Sequence, residues 1–219
     1  TETDSVFNRH KPYTRDVVHN AKQTKHNLKQ TSTILILLLS FGLQSMKAQQ
    51  NKIAYTFEKY VISANSDNVE KQLDYYHPEI FNYFPKDTFL LAFEMIKANP
   101  MVKVGNEKLI SISEIYKYKK SQYALLSFSQ EMTMDISDMK GQGGADYAIS
   151  LAIEDFKRQY GEKNVNFKEE LYSIDISMIN EFYAVLDPKF GTWKFIPKDD
   201  DSQDIIEQII PEVIRQKIK

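Results

Sequence analysis

Apolar residues recur along this chain with two distinct periods, and the switches between them mark its elements. Ile53, Phe57, Tyr60, Val61 and Ala64 fall at i, i+4, i+7, i+8 and i+11, one stripe of an amphipathic helix. Asn65-Ser66-Asp67 interrupts it, and Ser66 or Asp67 is placed to cap a second, short helix through Val69, Leu73 and Tyr76. Pro78 and Pro85 bracket the next stretch and disfavour helix at the residues before them. A third helix is expected from Asp87 or Thr88, with Phe89, Leu90, Phe93 and Ile96 inward, ending near Asn99-Pro100.

From Met101 the period becomes two. Ile110, Ile112, Tyr116 and Tyr118 are expected on one face of a strand, and Leu126, Phe128, Met132, Met134 and Ile136 on one face of the next. The opposite face of that second strand, Ser127, Ser129, Glu131, Thr133 and Asp135, reads as solvated. A glycine-rich turn, Gly141–Gly144, leads into a helix bearing Ile149, Ala152, Ile153, Phe156 and Tyr160, closed by Gly161. Two further strands are expected, one through Tyr172, Ile174, Ile176 and Met178, the other through Phe182, Ala184 and Leu186. The turn 187–191 then joins a last strand carrying Trp193 and Phe195. Asp199-Asp200-Asp201 precedes a closing helix with Ile205, Ile206, Ile209, Ile210, Val213, Ile214 and Ile218, in which Pro211 is a kink or a restart. Strands joined by short turns pair antiparallel, and helices must cover a face of the resulting sheet, so the class is α+β.

The N-terminal helices with Leu73-Asp74-Tyr75-Tyr76-His77-Pro78, the 182–186 and 191–196 strands and the Ile209-Ile210-Pro211 closure resemble the nuclear-transport-factor-2-like, or cystatin-like, superfamily. The resemblance covers 53–215 at the level of pattern, without a diagnostic motif. It implies a curved antiparallel sheet wrapped around a helix layer, leaving a conical pocket. The helix inserted at 145–160 and the terminal helix depart from the simplest form of that fold. The superfamily holds enzymes, small-ligand binders and assembly domains, so the fold would leave function open.

Residues 28–48 change the picture of the N-terminus. Lys29 is a positive start, 33–43 is a short apolar run, and Met46-Lys47-Ala48 ends in a small residue, the order of an export signal. The run falls short of the roughly 20 residues a spanning helix needs. Residues 1–27 are polar and hold His10, His19 and His26. They are expected to be upstream reading frame, with translation starting at Leu28 from an alternative start codon, or else a disordered extension. In the latter case the apolar run could be a membrane anchor. Cleavage after Ala48 would leave 49–219 as a single domain, periplasmic or extracellular, without a stable membrane span.

That segment carries 21 Lys+Arg against 27 Asp+Glu, a balance that argues against a nucleic-acid partner. Cysteine is absent, which removes disulfides, thiol nucleophiles and Cys-based metal centres. No cofactor or metal is expected. Gly141–Gly144 lacks the Lys-Ser/Thr of a phosphate loop, and 199–201 lacks the spacing of a calcium loop.

His77 is the one histidine after Ala48; with Asp74 and Tyr76 it is the candidate catalytic group, against a structural role at a helix end. Tyr116, Lys117 and Tyr118 are the candidate ligand-binding cluster, against an edge-protecting hairpin tip. The aliphatic excess of the last helix implies burial on two sides or a homodimer contact. These features favour an exported, non-catalytic binding or interaction domain for a small ligand or a protein. The alternatives are an enzyme transferring protons in an aromatic-lined pocket and a subunit of an envelope assembly.

Overall fold

The computed structural model describes residues 46–66 and 68–218. The chain divides into two units, Thr1–Lys47 and Ala48–Lys219. Residues 1–45, which carry the segment 1–27 and most of the expected export signal, lie outside the described residues. Among the described residues no helix is long and apolar enough to cross a membrane.

The second unit is α+β, with helices preceding an open antiparallel sheet. Helix α1 is helical throughout 46–64 and buries Ile53, Phe57 and Tyr60. The short helix α2, Val69–Leu73, is capped by the Asn68 side chain, which accepts from the Lys71 N–H at 3.2 Å. Ser66 does not take that place, and Asp67 lies outside the described residues. The proline-bracketed stretch is a 3-10 turn, Pro78–Asn82. Helix α3, Lys86–Ala98, begins one residue ahead of the expected start, directly after Pro85, and has no side-chain cap. Its Phe89, Leu90 and Phe93 are half-buried, whereas Ile96 is exposed.

The sheet is built on two long central strands, β3 (Ser121–Asp135) and β5 (Ser173–Leu186), paired along their whole length. Each outer edge is made by two shorter strands. β1 (Val102–Ile112) and β2 (Tyr116–Tyr118) pair with β3; β4 (Val165–Lys168) and β6 (Trp193–Pro197) pair with β5. Two expectations are corrected here. Ile110–Tyr118 is not one strand face, because β1 carries register shifts and the chain breaks before β2; Ile112 stands opposite Leu126 and Tyr116 opposite Tyr123, on alternate faces. Residues 172–178 and 182–186 are not two strands but one, since the alternation runs unbroken through Asn180. Strand β4 has no counterpart among the sequence expectations.

Two apolar clusters lie on the sheet. In the larger, α1 sets Phe57 and Tyr60 against Phe128, Phe182 and Phe195, with ring centroids 4.8–6.3 Å apart. Each ring buries a large apolar area and gains further from edge-on or offset contact. The smaller gathers Ile136, Ile149, Val165, Ile174 and Ile176 under helix α4, Ala145–Tyr160, which stops at Gly161. That glycine has φ 91°, a conformation closed to most side chains. Pro211 restarts the closing helix, dividing it into α5 (Gln203–Ile209) and α6 (Glu212–Arg215).

Five of the seven aliphatic positions that suggested a second chain are buried within this one, and Ile209 is half-buried. Val213 alone of the seven is exposed.

Candidate functional cleft

Between the two clusters the apolar face of the sheet is interrupted by amides. Gln130 on β3 and Asn180 on β5 stand on the face that otherwise carries Leu126, Phe128 and Met132, or Ile176, Met178 and Phe182. The interruption opens a cleft of about 830 Å³, bounded by α1, α2, α3 and α4 as well as the sheet. Its volume is within the range of small-molecule sites.

One wall is a directed row of hydrogen bonds. Asn180 Nδ2 donates to Gln130 Oε1 at 3.0 Å, and Gln130 Nε2 donates to Glu107 Oε1 at 3.0 Å. Asn65, in the turn after α1, donates to Glu107 Oε2 at 3.3 Å. A carboxylate only accepts, so Glu107 fixes which way each amide in the row faces. Glu107 owes its place to a bulge: Asn106 and Glu107 together stand opposite Gln130. Asn106 takes φ 57° and turns its amide to Glu131 at 2.7 Å, which leaves Glu107 beside Gln130.

The other wall is aromatic and hydroxylic. Gln72 Nε2 donates to the Tyr60 hydroxyl at 3.1 Å, and the Tyr60 and Tyr76 hydroxyls lie 3.4 Å apart. Burial raises both phenol pKa values, that of Tyr76 strongly, so both stay protonated. Phe93, Phe128, Phe182 and Tyr160 add apolar lining.

Of the sequence candidates, Tyr76 lines this cleft; Asp74, His77, Tyr116, Lys117 and Tyr118 do not. His77 caps the 3-10 turn: its Nδ1 accepts from the Glu79 N–H at 3.4 Å, and its ring meets Phe190 edge-on at 5.2 Å. Burial lowers its pKa. Asp74 offers its backbone carbonyl to Lys194 Nζ. Tyr116, Lys117 and Tyr118 form β2 at the sheet edge, with the Lys217 ammonium 5.9 Å from the Tyr116 ring centre. Glu131 and Asp135 sit outside the cleft, Glu131 bonded to Asn106. Among the described residues no group of three acidic or histidine side chains is arranged to hold a metal ion.

Sequence reasoning passed over Glu107, Gln130 and Asn180. The available signal was the polar gap at position 130 in one apolar face and at 180 in the next. No protein-family profile matches this chain, and no curated protein matches it with significance.

Proposed function

We propose that the domain is an exported binding module of nuclear-transport-factor-2-like architecture that holds a small molecule in the cleft without converting it. The observation that carries this reading is the amide interruption of an otherwise apolar sheet face. Two half-buried positions on the face that carries Phe128, Met132, Met178 and Phe182 hold Gln and Asn instead of apolar residues, hydrogen-bonded in a row at the cleft. Polar groups convergent in a partly apolar cavity are the mark of a ligand site. The layer of helices over one sheet face, with a cleft between, supports the superfamily likeness. The catalytic alternative rests on His77 as the proton-exchanging group, and His77 does not line the cleft, its ring lying against Phe190 instead. The assembly alternative needs an exposed apolar face on the closing helices, where Val213 alone is exposed among their aliphatic positions.

Native mass spectrometry of the full chain, with saturation-transfer NMR against a fragment library, tests the binding. The wild type is expected to retain or saturate a small molecule, and Ala64→Trp, which fills the cleft, to lose it. Equal signals from both proteins would refute the reading. Export is tested separately by the first residue of the natural product, expected to be Gln49.

A further inference from the structure

We infer that the occupant of the cleft carries a positive charge: a small organic ammonium ion with an apolar body, with Glu107 as its counter-ion. The inference rests on the cleft being a ligand site and specifies the chemistry of that ligand.

Three observations lead there. Glu107 is half-buried and has no cationic partner among the described residues; both its oxygens are held by neutral amides. A carboxylate drawn partly out of water in this way gains by meeting a cation that is itself losing water. The cations nearest the cleft are already engaged. Lys198 pairs with Glu181 at 2.6 Å, and Lys97 donates to the Ser66 carbonyl. Asp199 and Asp200 add two further carboxylates at the rim, so negative charge exceeds positive around the opening.

The direction of the hydrogen-bond row gives the second argument. Since Glu107 can only accept, one Gln130 N–H goes to it and one Asn180 N–H goes to the Gln130 oxygen, each amide keeping a second N–H. The row therefore ends in an Asn180 oxygen without a partner among the described residues. Beside the second N–H of each amide, the wall offers a ligand the acceptor oxygens of Asn180 and Glu107, and the Glu107 charge suits an ammonium with several N–H donors and opposes an anion. The third argument is the aromatic lining: Phe93, Phe128 and Phe182 give an apolar body a place, and the Tyr60 and Tyr160 rings favour a nearby cation.

The test compares three probes of matched size on the full chain: phenethylamine, phenethyl alcohol and hydrocinnamate, with affinities from ligand-observed NMR titration. Phenethylamine is expected to bind about tenfold more tightly than the alcohol, with hydrocinnamate weakest. Glu107→Gln is expected to abolish the preference for the amine over the alcohol. Val104→Lys, at a half-exposed cleft position, adds a cation to the lining and is expected to weaken the amine more than the alcohol. An alcohol or carboxylate that matches the amine in the wild type overturns the inference and leaves the cleft a ligand site. So does Glu107→Gln keeping the amine preference. If no probe binds, or binding survives Ala64→Trp, the cleft reading and this inference fall together.

Discussion

His77 shows how a residue marked by its chemistry can be set to a structural task. It is 3% exposed, its backbone N–H donates to the Phe195 carbonyl at 2.9 Å, and its ring both caps a turn and packs on Phe190. Removing solvent disfavours the imidazolium, and the opposing pull of Glu79 and Asp187 is smaller. The folded state thus binds a proton less readily than the unfolded one. Its contribution is complete above the unfolded value of about 6.5 and is lost as pH falls through the lower folded value. His77→Ala should cost about 1–2 kcal/mol near neutral pH, read from urea denaturation. The gap between wild type and variant should narrow at about pH 5; a gap independent of pH would contradict the burial argument. Asp175 behaves in the opposite chemical sense. Lys168 first, then Thr133, holds its carboxyl below the usual carboxylate range against the cost of burial. Its contribution is present above about pH 4 and fades as acid protonates the folded form.

At the scale of elements, β1 is the strand that shapes the cleft. Its extra residue at Asn106 costs a left-handed backbone, which asparagine tolerates and branched residues do not. Asn106→Val should destabilise the fold by about 1–3 kcal/mol and weaken any cleft ligand as Glu107 shifts. Asn106→Gly, which adopts that φ freely, should keep stability within about 1 kcal/mol of the wild type despite losing the bond to Glu131. Urea midpoints for the two variants check this; equal losses would show that the backbone there is not strained. The closing helix teaches a related lesson about local breaks. Pro211 lacks an N–H and ends α5, and the restart lets Ile210, Ile214 and Ile218 all enter the core. The same aliphatic residues on one straight helix would leave part of the set outside it.

Across the folded unit, the two apolar clusters differ in size and in exposure. The larger places Ala124, Leu125, Leu126, Tyr183, Ala184 and Val185 out of water on both faces of the sheet. The smaller leaves Tyr147 and Leu151 of α4 exposed and lies across the cleft from it. Local opening follows buried contact, so the amides of 123–126 and 183–186 should exchange hydrogen most slowly, and those of α4 well before them. Native-state exchange read by mass spectrometry decides; equal protection of α4 and the central strands would mean that the clusters open as one. The cleft sits where these clusters part, which is also where a ligand would couple them. A bound molecule should therefore slow exchange in α4 more than in the central strands.

The class, the helices and the alternation within β3 were legible in the sequence, because each rests on a period that solvent exposure imposes locally. The α1 stripe, the α4 stripe with its Gly161 stop, and the 187–191 turn all needed no distant partner. Asn180 falls between the two strands expected from the alternation, since a polar residue in an apolar alternation looks like an ending. Pairing with β3 alone reveals that the strand continues and that the amide faces a cleft. Glu107, Gln130 and Asn65 lie far apart in the chain, and their convergence depends on strand register and one bulge. Local periodicity is written residue by residue, whereas a site is a meeting of distant groups, and only the packed sheet brings these together.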